Sequence, residues 1–337
     1  MSKFTARAVV PVAVALVVAA AACSSGGGDR AQSTPRSTTT TTPSTTTTAP
    51  VQQRSVTSLV LDPNHAYGDI YADGILPVGD GKLVLDAPRQ GYIYLCNQGG
   101  GGGGASSRGP WFVNNDTEYD LKLKTHVEGQ VKWNGTYTET IDGTTRVIVT
   151  NDVPHDQTTG VFPVSPSDPA YQYDRNPNHI AEQQLTYRIT ADPQLLGTPS
   201  CMRGESGVMT TGVALFNGFD AGNRDAGAWE VQDGCDGHPE RTSKYHYHTL
   251  STCIDDIDVT HIIGWALDGF PITGPKVGAG NVLTTKDLDE CHGITSTITL
   301  DDKQVKTYHY VMTQDFPYSV SCFRASPINA PGTPAGP

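Results

Sequence analysis

The sequence predicts a mainly β fold, an internally duplicated β-sandwich or barrel-like domain with disulfides and few short helices. Three segments alternate polar residues with β-branched and aromatic ones, as half-buried strands do. These segments span residues 91–96, 119–127 and 144–149. The dipeptides Asn134-Gly135 and Asp142-Gly143 supply turn residues suited to hairpins. Helical periodicity rarely extends beyond two turns, and the best helix candidate, Asn178–Leu185, is short.

The duplication is predicted by four landmarks that occur twice, in the same order, in the last third of the chain. The first copy, residues 212–253, contains Gly-Val-Ala-Leu-Phe-Asn-Gly-Phe, then Cys-Asp-Gly-His, Tyr-His-Tyr-His and a cysteine. The second copy, residues 264–322, contains Gly-Trp-Ala-Leu-Asp-Gly-Phe, then Cys-His-Gly, Tyr-His-Tyr-Val and a cysteine. An ordered set of this kind favours a repeated β unit whose loops differ in length.

Cysteine usage predicts three disulfides. Beyond Cys23 the chain has six cysteines: Cys96, Cys201, Cys235, Cys253, Cys291 and Cys322. An even number outside the cytoplasm is typical of structural bridges, and no pair has the C-x-x-C spacing of a thiolate zinc or redox site. Six cysteines allow fifteen pairings. Pairing within each repeat copy would join Cys235 to Cys253 and Cys291 to Cys322, leaving Cys96 for Cys201.

The N-terminal residues have the features of an export signal followed by a tether. Residues 1–22 place two basic residues before an apolar run that is too short to cross a bilayer, which predicts a signal peptide. Cys23 follows small residues, as at a bacterial lipoprotein processing site, and is the expected lipidation site. Ordinary cleavage, giving a secreted protein, is the alternative. Residues 23–55 are rich in Ser, Thr, Pro and Gly, which predicts a disordered tether.

The rest of the chain is expected to form a β-rich N-terminal region at 56–144, a main domain at 145–325 and a disordered tail at 326–337. The net charge of −12 and the 17% of charged residues disfavour nucleic-acid binding, which needs clustered Lys and Arg.

The export signal and the lipidation site at Cys23 predict an extracytoplasmic protein whose partner is the membrane, through its lipid anchor. A cell-envelope component is a further candidate partner.

The stretch Tyr-His-Tyr-His carries the strongest chemical signal. Residues i and i+2 of a strand share one face, so His246 and His248 are expected to lie side by side and to be able to close onto one metal ion. Candidates for a further ligand are His238, which precedes the pair by a short loop, His155, and His309, the counterpart of His246 in the second copy.

The candidate cofactor is a divalent metal ion such as zinc, copper or calcium. Imidazole suits zinc, copper, iron or nickel, whereas carboxylates suit calcium or manganese. Five aspartates could supply oxygen ligands: Asp220, Asp225, Asp233, Asp236 and Asp268. Two other interpretations stay open, namely packing of Tyr and His in a half-buried sheet and acid–base catalysis by the histidines. Val311 replaces the second histidine in the second copy, which argues against an ion in both halves.

No sequence motif identifies catalytic residues, so they stay unknown. The chain has no Gly-x-Ser-x-Gly elbow and no H-E-x-x-H helix. A hydrolase of a cell-envelope glycan or ester, using carboxylates from distant positions, is one alternative function. A non-catalytic envelope-binding module is another. The run of six glycines at 99–104 lacks the Gly-Lys-Ser/Thr ending of a phosphate loop and predicts a flexible surface loop.

An ordered set of short motifs resembles the YHYH domain family over about residues 145–325. The matching pieces are Val153–His155, Thr159–Pro163, Asn176–Ile180, Gly237–Pro239, Tyr245–His248, Gly264–Pro275, Leu288–Cys291 and Phe316–Tyr318. The resemblance implies an exported or surface protein. The family has no agreed biochemical activity, and metal binding by its histidines is only a suggestion. Thr273 stands where members often carry tyrosine before Gly-Pro.

Overall fold

The computed structural model describes residues 74–99, 103–278 and 281–332, which belong to one compact unit of the chain, 54–337. The fold is mainly β, with 34% strand and 4% helix, as the sequence predicts. The expected signal peptide, the lipidated Cys23 and the tether lie outside the described residues. Within the described part of the chain, no helix is long and apolar enough to cross a membrane.

Ten short strands precede the central sheet along the chain. They are β1 (Ile75–Pro77), β2 (Leu83–Val84), β3 (Ile93–Tyr94), β4 (Phe112–Val113), β5 (Glu118–Asp120), β6 (Val131–Lys132), β7 (Tyr137–Asp142), β8 (Thr145–Thr150), β9 (Thr158–Thr159) and β10 (Leu185–Thr190). Strands β1, β5 and β4 form one antiparallel sheet, and β10, β8 and β7 form another. Strand β2 pairs with β3, and β6 pairs with β9. The predicted hairpin turn at Asp142-Gly143 joins β7 to β8, and Gly143 has a φ of 63°.

The other ten strands are β11 (Glu205–Met209), β12 (Ala214–Phe216), β13 (Gly237–Pro239), β14 (Tyr245–Tyr247), β15 (Ile262–Ala266), β16 (Pro271–Thr273), β17 (Lys276–Gly278), β18 (Asn281–Val282), β19 (Gly293–Leu300) and β20 (Lys303–Val311). Eight of them form the central sheet in the order β13–β14–β12–β11–β15–β16–β20–β19. Strands β17 and β18 form a separate pair. The turn between β19 and β20 has φ of 48° at Asp301 and 59° at Asp302, a conformation that aspartate tolerates and that suits a tight hairpin.

The strand order of the central sheet is the same on both sides of its middle pair, β11 and β15. Strand β11 pairs antiparallel with β12, β12 pairs parallel with β14, and β14 pairs antiparallel with β13. Strands β15, β16, β20 and β19 repeat these three relations in the same sequence. A duplicated unit would produce this arrangement, while the duplication itself stays a prediction.

Asp233 and Asp289 hold equivalent loops in the two halves. Each carboxylate accepts hydrogen bonds from the backbone N–H of a cysteine two residues later and of a glycine four residues later. Each also accepts a buried tyrosine hydroxyl, from Tyr245 in the first half and from Tyr308 in the second. These contacts fix the loops that precede β13 and β19.

In the residues that the structure describes, regular helix is confined to one short α-helix, α1 (Ala226–Trp229), and two 3₁₀ turns, Pro169–Gln172 and Thr285–Asp287. The predicted helix over Asn178–Leu185 is wrong. The backbone N–H of Ala181 donates to Ser243 O at 3.1 Å, and that of Gln183 donates to Asn151 O at 2.8 Å. Bonds to neighbouring segments thus replace the i to i−4 bonds of a helix, because eight residues form too few of the latter to compete.

Three disulfides staple the described chain, and they join the pairs expected from the order of the cysteines. They are Cys96–Cys201, Cys235–Cys253 and Cys291–Cys322. The second disulfide brackets β13 and β14, which carry the histidine-rich stretch.

Part of the expected C-terminal tail, residues 326–332, lies against the folded body. The backbone N–H of Ile328 donates to Leu267 O at 3.0 Å, and Lys244 Nζ donates to Pro331 O at 3.1 Å. These two bonds hold this part of the tail against the domain.

Candidate metal centre

Two histidines from neighbouring strands and a third just after the second strand meet at one buried point. His246 lies in β14 and is the direct cross-strand partner of His238 in β13. His248 follows His246 by two residues and lies on the same face, as strand geometry predicts. One ring nitrogen from each of the three lies within 4.8 Å of the other two, and all three side chains are buried. We call these residues the three-histidine cluster, and the group could hold a metal ion.

The two tyrosines of the stretch point away from the cluster into the core. The Tyr245 hydroxyl donates to Asp233, with the nearer carboxylate oxygen at 2.9 Å. The Tyr247 hydroxyl donates to Gln157 Oε1 at 3.0 Å. Both rings are fully buried. The tyrosines therefore pack into the core on one face of β14, and the histidines form the polar cluster on the other face.

Backbone carbonyls set the tautomers of two of the histidines. His246 Nδ1 lies 3.3 Å from Lys244 O, and His248 Nδ1 lies 2.5 Å from Asn217 O. Because a carbonyl only accepts, each Nδ1 carries the proton, and each neutral ring keeps a lone pair on Nε2. These two Nε2 atoms lie 3.0 Å apart. Two zinc ligands at the usual bond lengths and the tetrahedral angle are separated by about 3.3 Å.

Glu230 is the acidic neighbour of the cluster. Its Oε2 lies 3.3 Å from Nε2 of His238 and 3.3 Å from Nε2 of His248. Glu230 Oε2 and His238 Nε2 form an ion pair when His238 is protonated, but neither buried atom makes a hydrogen bond of good geometry. Buried polar atoms without well-formed hydrogen bonds are uncommon, because each costs about 1 to 3 kcal/mol. These two atoms face each other.

Burial and the Glu230 carboxylate together shift the pKa values of the three histidines. Burial, with the neighbouring imidazoles, holds the pKa of His246 well below its usual value. Burial also lowers the pKa of His248 to about 4, against the pull of Glu230. For His238 burial acts in the same direction, but the Glu230 carboxylate raises the pKa above its usual value. Burial opposes ionisation of Glu230, yet the attraction of His238 and His248 lowers its pKa to about 2.

Asn176 contacts the far side of the His238 ring. Its Nδ2 lies 3.3 Å from His238 Nδ1 and also donates to Pro239 O at 2.9 Å. Its Oδ1 accepts from the backbone N–H of Asn178, so the orientation of the amide is fixed at both ends. His238 Nδ1 therefore faces a donor, unlike the Nδ1 atoms of the other two histidines.

Residues far away in the sequence position Glu230, which directly follows α1. Asp225 caps this helix by accepting from Ala228 N, and it also accepts from Gly79 N at 2.7 Å and from the Tyr318 hydroxyl at 2.6 Å. The buried Lys124 donates through Nζ to the Gly227 carbonyl of the helix. The region before residue 145 thus helps to build the site.

His155 and His309 lie outside the cluster. His155 Nε2 donates to Thr210 O at 2.9 Å, and its Nδ1 lies beside Asp156. His309 is fully buried, with Thr273 Oγ1 2.9 Å from Nδ1 and Ser296 Oγ 2.7 Å from Nε2. Its strand lies five strand steps from that of His246, about 24 Å at the usual spacing. Both of its nitrogens have hydroxyl partners, which fill the space an ion would need.

The five aspartates considered as oxygen ligands hold loops and turns instead. Asp233 and Asp225 accept the bonds described above, and Asp236 accepts from Thr252 N. Asp220 pairs with Arg224, and Asp268 accepts from the Tyr310 hydroxyl and from two backbone N–H groups near the C-terminus. None of the five belongs to the cluster of metal-ligand type in the described residues. Glu230, which the sequence reasoning missed, takes the place they were expected to fill.

A cavity of about 960 Å³ opens onto the cluster. His238, His246, His248 and Glu230 form part of its wall. The Phe216 ring lies over His246 with a centroid distance of 4.1 Å and also lines the cavity. The described glycines of the glycine run line it too: Gly99, Gly103 and Gly104. Gly104 has a φ of 75°, and a Cβ there would lie 2.5 Å from Asp220 Oδ2, so the position requires glycine.

A protein-family model matches part of the chain. Residues 186–281 match the family model described as YHYH protein. No curated protein and no solved structure is significantly similar to the chain. The matched segment contains the three-histidine cluster and Glu230, whereas His155 and His309 lie outside it. The candidate metal centre therefore lies within the segment of the chain that matches this family.

Proposed function

We propose that this protein binds a divalent transition-metal ion through Nε2 of His246 and His248, with His238 as third ligand and Glu230 as the adjacent negative charge. One observation carries the proposal. Two buried Nε2 atoms with fixed tautomers meet 3.0 Å apart, next to a buried carboxylate oxygen that lies 3.3 Å from Nε2 of His238 and of His248. A cation at this point would satisfy all of these atoms together.

The donor set favours zinc or copper over calcium. Calcium takes six to eight oxygen ligands, whereas this centre offers three imidazoles and one carboxylate. Imidazole is a common ligand of zinc and copper, and hydrogen bonds from Nδ1 to backbone carbonyls are the usual support for such ligands. The Lys244 and Asn217 carbonyls provide this support for His246 and His248.

The contact between Asn176 and His238 provides a test of whether His238 is a metal ligand. An ion bound at His238 Nε2 requires the proton on Nδ1, which then faces the Asn176 amide nitrogen. Ligation by His238 is therefore expected either to turn this amide, at the expense of its bonds with Pro239 O and Asn178 N, or to move the imidazole away from it. If His238 instead pairs only with Glu230, the amide keeps the orientation that donates to Pro239 O.

Elemental analysis of the untagged exported protein, purified without chelator, tests the proposal. We expect about one equivalent of zinc or copper, and near-complete loss in the His246→Ala, His248→Ala double variant. His155→Ala tests the alternative ligand and should keep the metal. His261→Ala, at an exposed histidine that pairs with Asp256, is the matched control. Equal, negligible metal in the wild type and in the folded double variant would reject the proposal.

We also propose that the protein is exported and anchored to a membrane through lipidated Cys23. The apolar run before this cysteine supports the proposal, and the three disulfides fit an oxidising compartment. Replacement of Cys23 by Ser should move the protein from the membrane fraction to the medium. Unchanged membrane association of this variant would reject lipid anchoring.

A second candidate function is hydrolysis of an ester or glycan outside the cytoplasm. The observation that favours it is the large cavity at the cluster, since catalytic metal sites stay open to substrate whereas structural sites are closed. Metal-dependent turnover of small aryl esters, lost in Glu230→Gln with the metal retained, would support this function. Equal turnover by that variant and the wild type would count against it.

A further inference from the structure

The cavity above the cluster combines an apolar wall with a group of arginines. Leu95, Phe216 and Phe219 supply apolar surface. Arg175, Arg203 and Arg241 line the same cavity, and all three are exposed. Its volume of about 960 Å³ is in the range of small-molecule sites. The cavity thus has the composition of a site for a molecule with an apolar body and a negative charge.

The three arginines at the cavity differ from most of the other arginines in having no carboxylate partner. The described residues include nine arginines. Five of them pair with a carboxylate: Arg108, Arg146, Arg188, Arg224 and Arg324. Of the four without such a partner in the described part of the chain, three line this cavity, and Arg89 is the fourth. Three of the four described arginines without a carboxylate partner thus line one cavity, in a protein of net charge −12.

The acidic residues of the cavity wall stay charged, but in the described residues none of them forms an ion pair with Arg175, Arg203 or Arg241. Asp174 accepts from Val231 N and Asn176 N. Asp220 pairs with Arg224, and Glu240 accepts from Thr242 N and Lys244 N through one of its oxygens. Glu230 faces the histidines. The three guanidinium groups thus keep hydrogen-bond donors free for a ligand.

Arg203 and Arg241 also border a second cavity of about 620 Å³, which shares Phe216 with the first. The two arginines and Phe216 therefore line both cavities. Guanidinium groups bind the oxygens of carboxylates and phosphates with two parallel hydrogen bonds, which a compact ammonium group cannot make.

We infer that this cavity binds a small organic anion, a carboxylate or phosphate monoester with an apolar body, held by Arg203 and Arg241 over the histidine centre. The inference rests on the proposed function in taking the metal centre as the floor of the ligand site. The apolar body packs on Phe216 and Phe219, and the arginines hold the charged oxygens. The ligand then spans the space between the guanidinium groups and the ion.

Calorimetry with phenyl phosphate, benzoate and uncharged benzyl alcohol as probes tests this inference on the full exported protein. The test variant is Arg203→Gln, Arg241→Gln. The matched control is Arg89→Gln, which removes an exposed, unpaired arginine that does not line the cavity. We expect at least one anion to bind and to lose about tenfold or more in affinity in the test variant only, since hydrogen bonds to charged groups are stronger than those between neutral groups. The two anions separate a phosphate site from a carboxylate site.

Metal content is measured on the same samples, so that a failure of the metal-binding proposal can be distinguished from a failure of the anion-site proposal. Metal present without binding of either anion, or with equal binding in the test and control variants, would overturn the anion site and leave the metal centre standing. Benzyl alcohol binding as tightly as the anions would also overturn it. Absence of metal would overturn the proposed function, and anion binding that still depends on Arg203 and Arg241 would then support the anion site alone.

Discussion

His246 and His248 face each other through their Nε2 atoms at 3.0 Å, while the opposite nitrogen of each ring bonds to a backbone carbonyl. The two rings therefore oppose their lone pairs in a buried place, which destabilises the metal-free fold. We expect saturating zinc, at about a hundredfold its dissociation constant, to raise the free energy of unfolding by about 2.7 kcal/mol. Denaturant titration with zinc or with chelator measures this change. The folded double variant His246→Ala, His248→Ala should show no response, and a wild type without response would contradict the expectation.

Glu230→Gln keeps the size of the side chain and removes its charge. Because Glu230 Oε2 lies 3.3 Å from two of the histidine nitrogens, we expect zinc affinity to fall by about tenfold to a hundredfold. Competition with a chromogenic chelator measures it. Glu240→Gln changes the charge of another residue of the cavity wall that is not in contact with the cluster, and should leave zinc affinity unchanged. Equal affinity in the Glu230 variant and the wild type would remove Glu230 from the centre.

His309 should make stability fall between pH 6.5 and pH 4. Burial lowers its pKa from the usual 6.5 to about 4, so within this range the unfolded chain binds a proton and the folded chain does not. Stability from this residue is complete above pH 6.5 and is lost by about 3 kcal/mol as the pH falls to 4. The difference in unfolding free energy between wild type and His309→Gln, measured across this range, isolates the effect. His261→Gln, at an exposed position, should show no such trend, and parallel curves for both variants would exclude the mechanism.

The disulfides should differ in their contribution to stability. The Cys96–Cys201 bond closes a sequence separation of 105 residues, and Cys235–Cys253 closes one of 18. Because the longer loop restricts the unfolded chain more, replacing Cys96 and Cys201 by Ser should cost about 1 to 2 kcal/mol more than the same change at Cys235 and Cys253. Denaturant midpoints of the two double variants compare the costs. A larger loss for the shorter loop would show that the native contacts around β13 and β14 dominate.

Sequence reasoning succeeded where the signal was local. Alternation with a period of two places His246 and His248 on one face of β14, and the turn at Asp142-Gly143 follows from its residues. The order of the cysteines predicted their pairing, and each of the three disulfides joins two cysteines that follow one another in the sequence. The predicted hairpin turn at Asn134-Gly135 is wrong, because the strands on either side of it, β6 and β7, pair with β9 and β8 and not with each other.

Partners brought together by the tertiary fold could not be predicted in this way. Glu230 lies eight positions before His238 with no motif spacing to mark it, and it reaches the cluster only because Asp225 anchors α1 to Gly79 and Tyr318. His309 has the same local sequence as His246, yet its environment differs because Thr273 and Ser296 occupy it. Which hydroxyl or carboxylate faces an imidazole depends on strand order across the sheet, and strand order is a long-range property.

The supports of Glu230 decide how much of the chain must be kept to study the centre. Residues 186–281, the segment that matches the family, contain every group of the centre. They omit Gly79, Lys124 and Tyr318, which hold α1 in place, and Asn176, which contacts His238. A fragment of residues 186–281 would keep the histidines but lose the contacts that position the Glu230 carboxylate beside them. A faithful minimal fragment must therefore begin before residue 79 and end after residue 318.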